Sequence, residues 1–122
     1  APELQGIGIT TKAIKQATLT NNTSSATTIN EYPALAGKGL IIKYKIVRGT
    51  LDRTGEVVIS ASTNGVQYDD TFTESGADVG VTLSAETGNQ DSSVGNETVL
   101  LRYTTTDTST NATLEYQTTI IV

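Results

Sequence analysis

Leu40-Ile41-Ile42-Lys43-Tyr44-Lys45-Ile46-Val47-Arg48-Gly49-Thr50-Leu51-Asp52-Arg53-Thr54-Gly55-Glu56-Val57-Val58-Ile59 is the stretch that decides the fold. Side chains alternate sides along an extended strand, so Leu40, Ile42, Tyr44 and Ile46 share one face. Ile41 and Val47 face the other way, with Lys43 and Lys45 between them. On the return, Val57, Ile59 and Ala61 share a face, and Val58 stands opposite among Glu56 and Ser60. The pattern predicts a β-hairpin with one solidly apolar face, its arms joined over Gly49 to Thr54.

Working outward, the same period continues. Residues 1–12 read as an extended lead-in, and 13–122 as a single β-sandwich domain. Ala13 to Thr20 predicts a first strand and Thr27 to Tyr32 a second, ended by Pro33. Asn64-Gly65 suits a two-residue turn between hairpin strands. Tyr68 and Phe72 fall on the strand after it, with Asp69 and Asp70 near its middle. A doubled acid there fits a sheet edge or a bulge. Val79, Val81 and Leu83 alternate cleanly. Ala85 to Asn96 reads as the longest loop. Val99, Leu101 and Tyr103, then Leu114, Tyr116, Ile120 and Val122, mark the last two strands. The sum is an all-β chain of about eight antiparallel strands in a jelly-roll-like β-sandwich.

Composition agrees. Of 122 residues, roughly a quarter are Thr or Ser, well above ordinary usage, and Thr favours strands. The chain has no Cys and no His, which removes disulfides, thiolate metal sites and the commonest general base. A net charge of −5 argues against a phosphate-backbone partner. No apolar run reaches membrane-spanning length, so neither nucleic-acid binding nor membrane insertion is expected. The opening Ala1-Pro2-Glu3, without Met, suggests a processed or truncated piece of a longer protein.

Four strands carry adjacent large aliphatics: Ile41-Ile42, Val57-Val58, Leu100-Leu101 and Ile120-Ile121. One of each pair must leave the core. A cluster of such groups on one outer face is a liability for a lone subunit. Ile41, Val58, Leu100 and Ile121 are therefore the expected interface of a cyclic homo-oligomer. Scattered single aliphatics would instead need no partner.

Three segments resemble a known family. They are Ile42–Ser60 (IKYKIVRGTLDRTGEVVIS), Asp69–Ala85 (DDTFTESGADVGVTLSA) and Val99–Gln117 (VLLRYTTTDTSTNATLEYQ). Together with Ala17–Ile29 they are similar to the C-terminal knob or tip domains of tailed-bacteriophage tail fibres and tail needles, and to related trimeric bacterial fibre adhesins. The resemblance implies a trimeric sandwich head of tumour-necrosis-factor-like form. It would be carried on a virion tail or an extracellular bacterial surface and would bind a surface glycan or lipopolysaccharide. The carry-over is structural, through Arg48, Gly49, Arg53, Thr54 and Gly55 and through Asp78 to Val81. The chain departs from the family in its apolar ending, Thr119-Ile120-Ile121-Val122, where basic residues are usual.

Chemistry in the sequence is sparse. Asp69, Asp70, Glu74 and Asp78 could suggest a glycosidase pair or a Ca²⁺ loop. The EF-hand spacing is absent, and so is any Trp to stack a sugar, so solvated acids explain them better; no enzyme, cofactor or metal is expected. Arg48, Arg53 and Arg102 would either pair with Asp52, Glu56 and Glu115 at a rim or offer guanidinium forks to a bound carboxylate. Tyr32, beside Pro33, is the tyrosine expected to be exposed for recognition. Tyr32, Arg48, Arg53 and Arg102 are thus the ligand-binding candidates. Contacts are expected in the loops Asn21–Ala26, Ala34–Gly39, Ala85–Asn96 and Asp107–Asn111. A trimerisation cap or capsid decoration domain without ligand, and an accessory module of a depolymerase, are the competing readings.

Overall fold

The computed structural model describes residues 9–33, 39–62, 65–88 and 98–121. They form nine strands: β1 Ile9–Thr11, β2 Lys15–Leu19, β3 Thr27–Pro33, β4 Gly39–Arg48, β5 Leu51–Ser62, β6 Gly65–Glu74, β7 Val81–Thr87, β8 Thr98–Thr105 and β9 Ala112–Ile121. All pairings are antiparallel. The larger sheet runs β1-β9-β4-β5-β6, with β2 following β1 along the same edge of β9. The smaller sheet is β3-β8-β7. No helix among the described residues is long and apolar enough to cross a membrane.

The β-sandwich expectation is met. Within it, β4, β5 and β6 stay in one sheet as a meander, where a jelly roll would pass successive strands between sheets. The hairpin at its centre is tighter than the sequence suggested. Arg48 pairs with Leu51, so only Gly49 and Thr50 turn the chain. Gly49 has φ 63°, as a type II′ turn requires of its first central residue. Ser62 pairs with Gly65; Thr63 and Asn64 lie outside the described residues.

The alternation read from β4 is observed. Leu40, Ile42, Tyr44 and Ile46 are buried, as are Val57, Ile59 and Ala61 across from them on β5. Val79, Val81, Leu83 and Ala85 meet them from the smaller sheet's side, with Val99, Leu101 and Tyr103. Each buried aliphatic contributes roughly 1.5–3 kcal/mol. The tyrosine hydroxyls that reach this core find partners. Tyr32 on β3 shares a 2.7 Å hydrogen bond with Thr118 on β9, and Asn30 donates to Tyr116 at 3.2 Å, so both bonds tie one sheet to the other.

The strand ends Pro33, Gly39, Ser62, Gly65, Thr87 and Thr98 lie at one end of the sandwich; residues 34–38, 63–64 and 89–97, with most of the expected contact loops Ala34–Gly39 and Ala85–Asn96, lie outside the described residues. Ile9 and Ile121 are paired at that same end. The opposite end gathers four connections: residues 20–26, the Gly49-Thr50 turn, 75–80 and 106–111.

Candidate functional site

Arg48 braces the second end. It has the same parity as Leu40, Ile42, Tyr44 and Ile46, so its side chain points inward and is 3% exposed. All five guanidinium N–H groups have an acceptor. Nε donates to Thr110 O (2.9 Å), and Nη1 to Val79 O (2.9 Å) and Gly80 O (3.2 Å). Nη2 donates to Asn21 Oδ1 (2.6 Å) and Thr106 O (2.7 Å). One cation thereby fastens three connections around the hairpin turn, balanced by carbonyl dipoles. Asn21 continues the knot. Its side-chain amide donates to Asp107, its Oδ1 also accepts from Thr108 N, and its backbone N–H donates to Asn111 Oδ1. The Asn21 amide and the Ser109 N–H hold the Asp107 carboxyl below its ordinary pKa. Loops 21–26 and 107–111, both expected as contact loops, thus sit side by side on a braced platform.

Arg53 brings a second set of groups together. It points inward from β5 beside Gly55 and is 3% exposed. Nε and Nη2 both reach Glu74 Oε2 at 3.1 and 3.0 Å. Nη2 also meets Asp78 Oδ1 at 3.4 Å, and Nη1 donates to Val81 O at 2.8 Å. The guanidinium carbon lies 3.9 Å from the centroid of the Phe72 ring, a cation–π contact. Arg53, Asp70, Phe72, Asp78, Gly80, Val81, Thr82 and Thr106 line an open cleft of about 240 Å³.

The cleft exists because the two sheets differ in width. The larger sheet has five strand positions and the smaller has three, so β6 overhangs. Val66, Tyr68, Asp70, Phe72 and Glu74 pair with Ala61, Ile59, Val57, Gly55 and Arg53, all on the inner face of β5. They share that face, yet Tyr68 is 45% and Phe72 43% exposed. Asp70 lies between the two rings and accepts a 2.7 Å hydrogen bond from the Tyr44 hydroxyl. Burial raises the pKa of Asp70, against the opposing pull of the Tyr44 hydrogen bond and the Arg53 charge. Burial and the Asp70 contact push the Tyr44 phenol up as well.

A pH dependence follows. Ionising Asp70 costs more in the folded chain than in the unfolded one, so the unfolded chain releases its proton first. Stability is therefore lost as pH rises from the ordinary carboxylate pKa through the raised folded value. Asp70→Asn keeps an acceptor for Tyr44 and removes this slope. Its melting temperature should gain on the wild type as pH rises from about 3 to about 6. A constant difference across that range would contradict the burial argument.

Several sequence expectations change here. Tyr32 is 5% exposed, because it alternates inward and pairs with Val99; Tyr68 is the exposed tyrosine. The arginines do not pair with Asp52, Glu56 or Glu115. Those acids pair with Val47, Lys43 and Lys45 on the outer face, whereas Arg48 and Arg53 point inward. Arg102 stands on the outer face of the smaller sheet in an ion pair with Glu86, and its Nε has no partner among the described residues. Asp69 and Asp70 are neighbours on a strand and face opposite sides, so they are not a carboxylate pair. Among the described residues no group of three or more acidic, His or Cys side chains could hold a metal ion. Of the proposed interface residues, Ile41 and Val58 pair directly. Ile121 lies on the same face, opposite Gly39, while Leu100 is on the outer face of the other sheet between Glu31 and Glu86. The four do not form one surface.

No family model and no curated protein matches the chain. Among solved structures, the fold is similar to part of the tailspike protein gp49 of Acinetobacter baumannii bacteriophage Fri1, a capsular polysaccharide depolymerase. The TM-score is 0.51 at 16% identity, over 94% of this chain and 17% of that one. The likeness is therefore one of fold, with a segment about a sixth of the tailspike's length.

Proposed function

We propose that this chain is a non-enzymatic recognition domain of a phage tail spike, fibre or needle, carried on the virion tail and attaching it to a bacterial surface glycan as a homotrimer. The observation that carries the reading is the polarity of the sandwich. The paired strand ends Ile9 and Ile121 lie at one end, and the Arg48-braced loops 20–26, 75–80 and 106–111 present a polar, Thr- and Asn-rich surface at the other. The braced end thus offers a rigid polar face for contact with a surface. The similarity to part of a phage tailspike supports the setting. The Ile41–Val58 pair with Ile121, near the rear of the larger sheet's outer face, is the proposed seam between copies, and three copies would multiply weak contacts.

The depolymerase activity of the tailspike favours a second reading, an accessory module that holds polysaccharide for a catalytic domain elsewhere. Light scattering and a glycan array on the purified chain test both readings. A trimer that binds bacterial polysaccharide without shortening it is expected. A 12.8 kDa monomer removes the homotrimer from the proposal, and trimers that bind no surface glycan return the chain to a structural cap.

A further inference from the structure

We infer that the half-exposed stretch of the inner face of β6 around Tyr68, Asp70 and Phe72 is a saccharide-binding groove, and that it takes neutral or basic sugars and rejects acidic ones. This rests on the recognition reading above and adds a saccharide site on the flank of the sandwich, apart from the braced loops.

Shape comes first. Tyr68 and Phe72 stand four residues apart on one strand face, about 13 Å at strand rise, with Asp70 midway. Core-side aromatics are normally covered by the opposing sheet. Here the smaller sheet ends at β7, and both rings remain more than two-fifths exposed. A sugar ring offers an apolar C–H face to such platforms. The groove is also bordered by two edge strands, β6 and β7, whose outer backbone groups suit hydroxyl partners.

Charge decides the class. Four ionisable groups meet at the groove: Arg53, Asp70, Glu74 and Asp78. The cation is already engaged, since Nε and Nη2 hold Glu74 and Asp78, Nη1 holds Val81 O, and Phe72 covers its face. It has no guanidinium fork left for a ligand carboxylate. The carboxylates of Asp70 and Asp78 both line the cleft. Their remaining lone pairs accept from O–H and N–H donors. Asp69 lies on the other side of β6, and Lys43 and Lys45 on the outer face of β4; Arg48 borders the cleft at Gly80 and Thr106, but all five of its N–H groups are engaged within the chain, so it offers no free donor to a ligand. Uronate or sialate would meet uncompensated negative charge; hydroxyls and amino groups would not.

The test uses the full chain, uniformly ¹⁵N-labelled, titrated with three probes: chitosan oligomers (amino), chitin oligomers (neutral) and oligogalacturonate (acidic). Amide shifts confined to β6 and β7 are expected with the first two and not with the third. Tyr68→Ala and Phe72→Ala, both at exposed rings, should each weaken binding about tenfold. Asp70→Asn should selectively weaken the chitosan oligomers. Lys45→Gln, exposed on the outer face of β4, should leave binding intact, and Ser24→Glu and Thr108→Glu report whether the braced loops take part. If the loop variants abolish binding while the ring variants do not, the groove is overturned and the recognition reading stands. Acidic oligomers binding as tightly as the others would overturn the charge argument. No binding by any probe, together with an array negative for surface glycans, would overturn both.

Discussion

Replacing Arg48 with alanine is expected to cost about 3–5 kcal/mol and to loosen the whole braced end. The substitution takes a donor from five oxygens: Gly80 O, Thr106 O, Asn21 Oδ1 and Thr110 O keep a second one, whereas Val79 O keeps none among the described residues. An acceptor stranded in a buried site loses its full desolvation cost, and only some of these can be reached by entering water. Arg48→Lys should recover less than half, since an ammonium has three donors and no planar fork. The melting temperature should fall by about 10 °C or more for alanine, with urea unfolding giving the free energy. Lysine performing as well as arginine would show that charge alone, and not the five-way geometry, holds these connections.

Gly55→Ala is expected to cost about 3 kcal/mol and to peel β6 from its sheet. Gly55 pairs with Phe72 on the inner face. A Cβ at this position would stand 2.5 Å from Thr71 O, 2.6 Å from Phe72 Cβ and 2.9 Å from Phe72 Cα. Two of those three atoms are backbone, so rotating a side chain cannot relieve the clash. The absent side chain is what lets the Phe72 ring come under the Arg53 guanidinium. Hydrogen exchange should accelerate across residues 65–74 more than across β9, which lies two strands away. Uniform acceleration would mean the damage is global rather than a local loss of pairing.

Much of the fold was legible because the strands obey a strict period of two. The alternation through Leu40 to Ile46 and through Val57 to Ala61 placed the core side chains correctly, and of the two readings of the doubled acid Asp69-Asp70, an edge or a bulge, β6 shows the edge. The same parity also carried information that charge obscured. Arg48 counts with Ile46, and Arg53 with Val57, so both were readable as inward-facing; a buried arginine is rare enough that residue type outweighed position. Tyr32 was misplaced for the complementary reason: the adjacent proline suggested a surface, while the period put it inside. The short β1, at the end of the lead-in, has too few residues to display a period and is defined only by its pairing with β9. The groove was beyond the sequence altogether. It depends on five strand positions facing three, and no single strand records how many neighbours the opposite sheet will have.

The place of β9 has a consequence for biosynthesis. It leaves the ribosome after the other eight described strands, yet it is seated between β1 and β2 on one flank and β4 on the other. A nascent chain can close the β4–β5–β6 meander early, but it must then wait with the Leu40–Ile46 edge bare until residues 112–121 emerge. Completion of the larger sheet thus waits for β9, and the interval before it is when neighbouring polypeptides on a polysome could capture that edge.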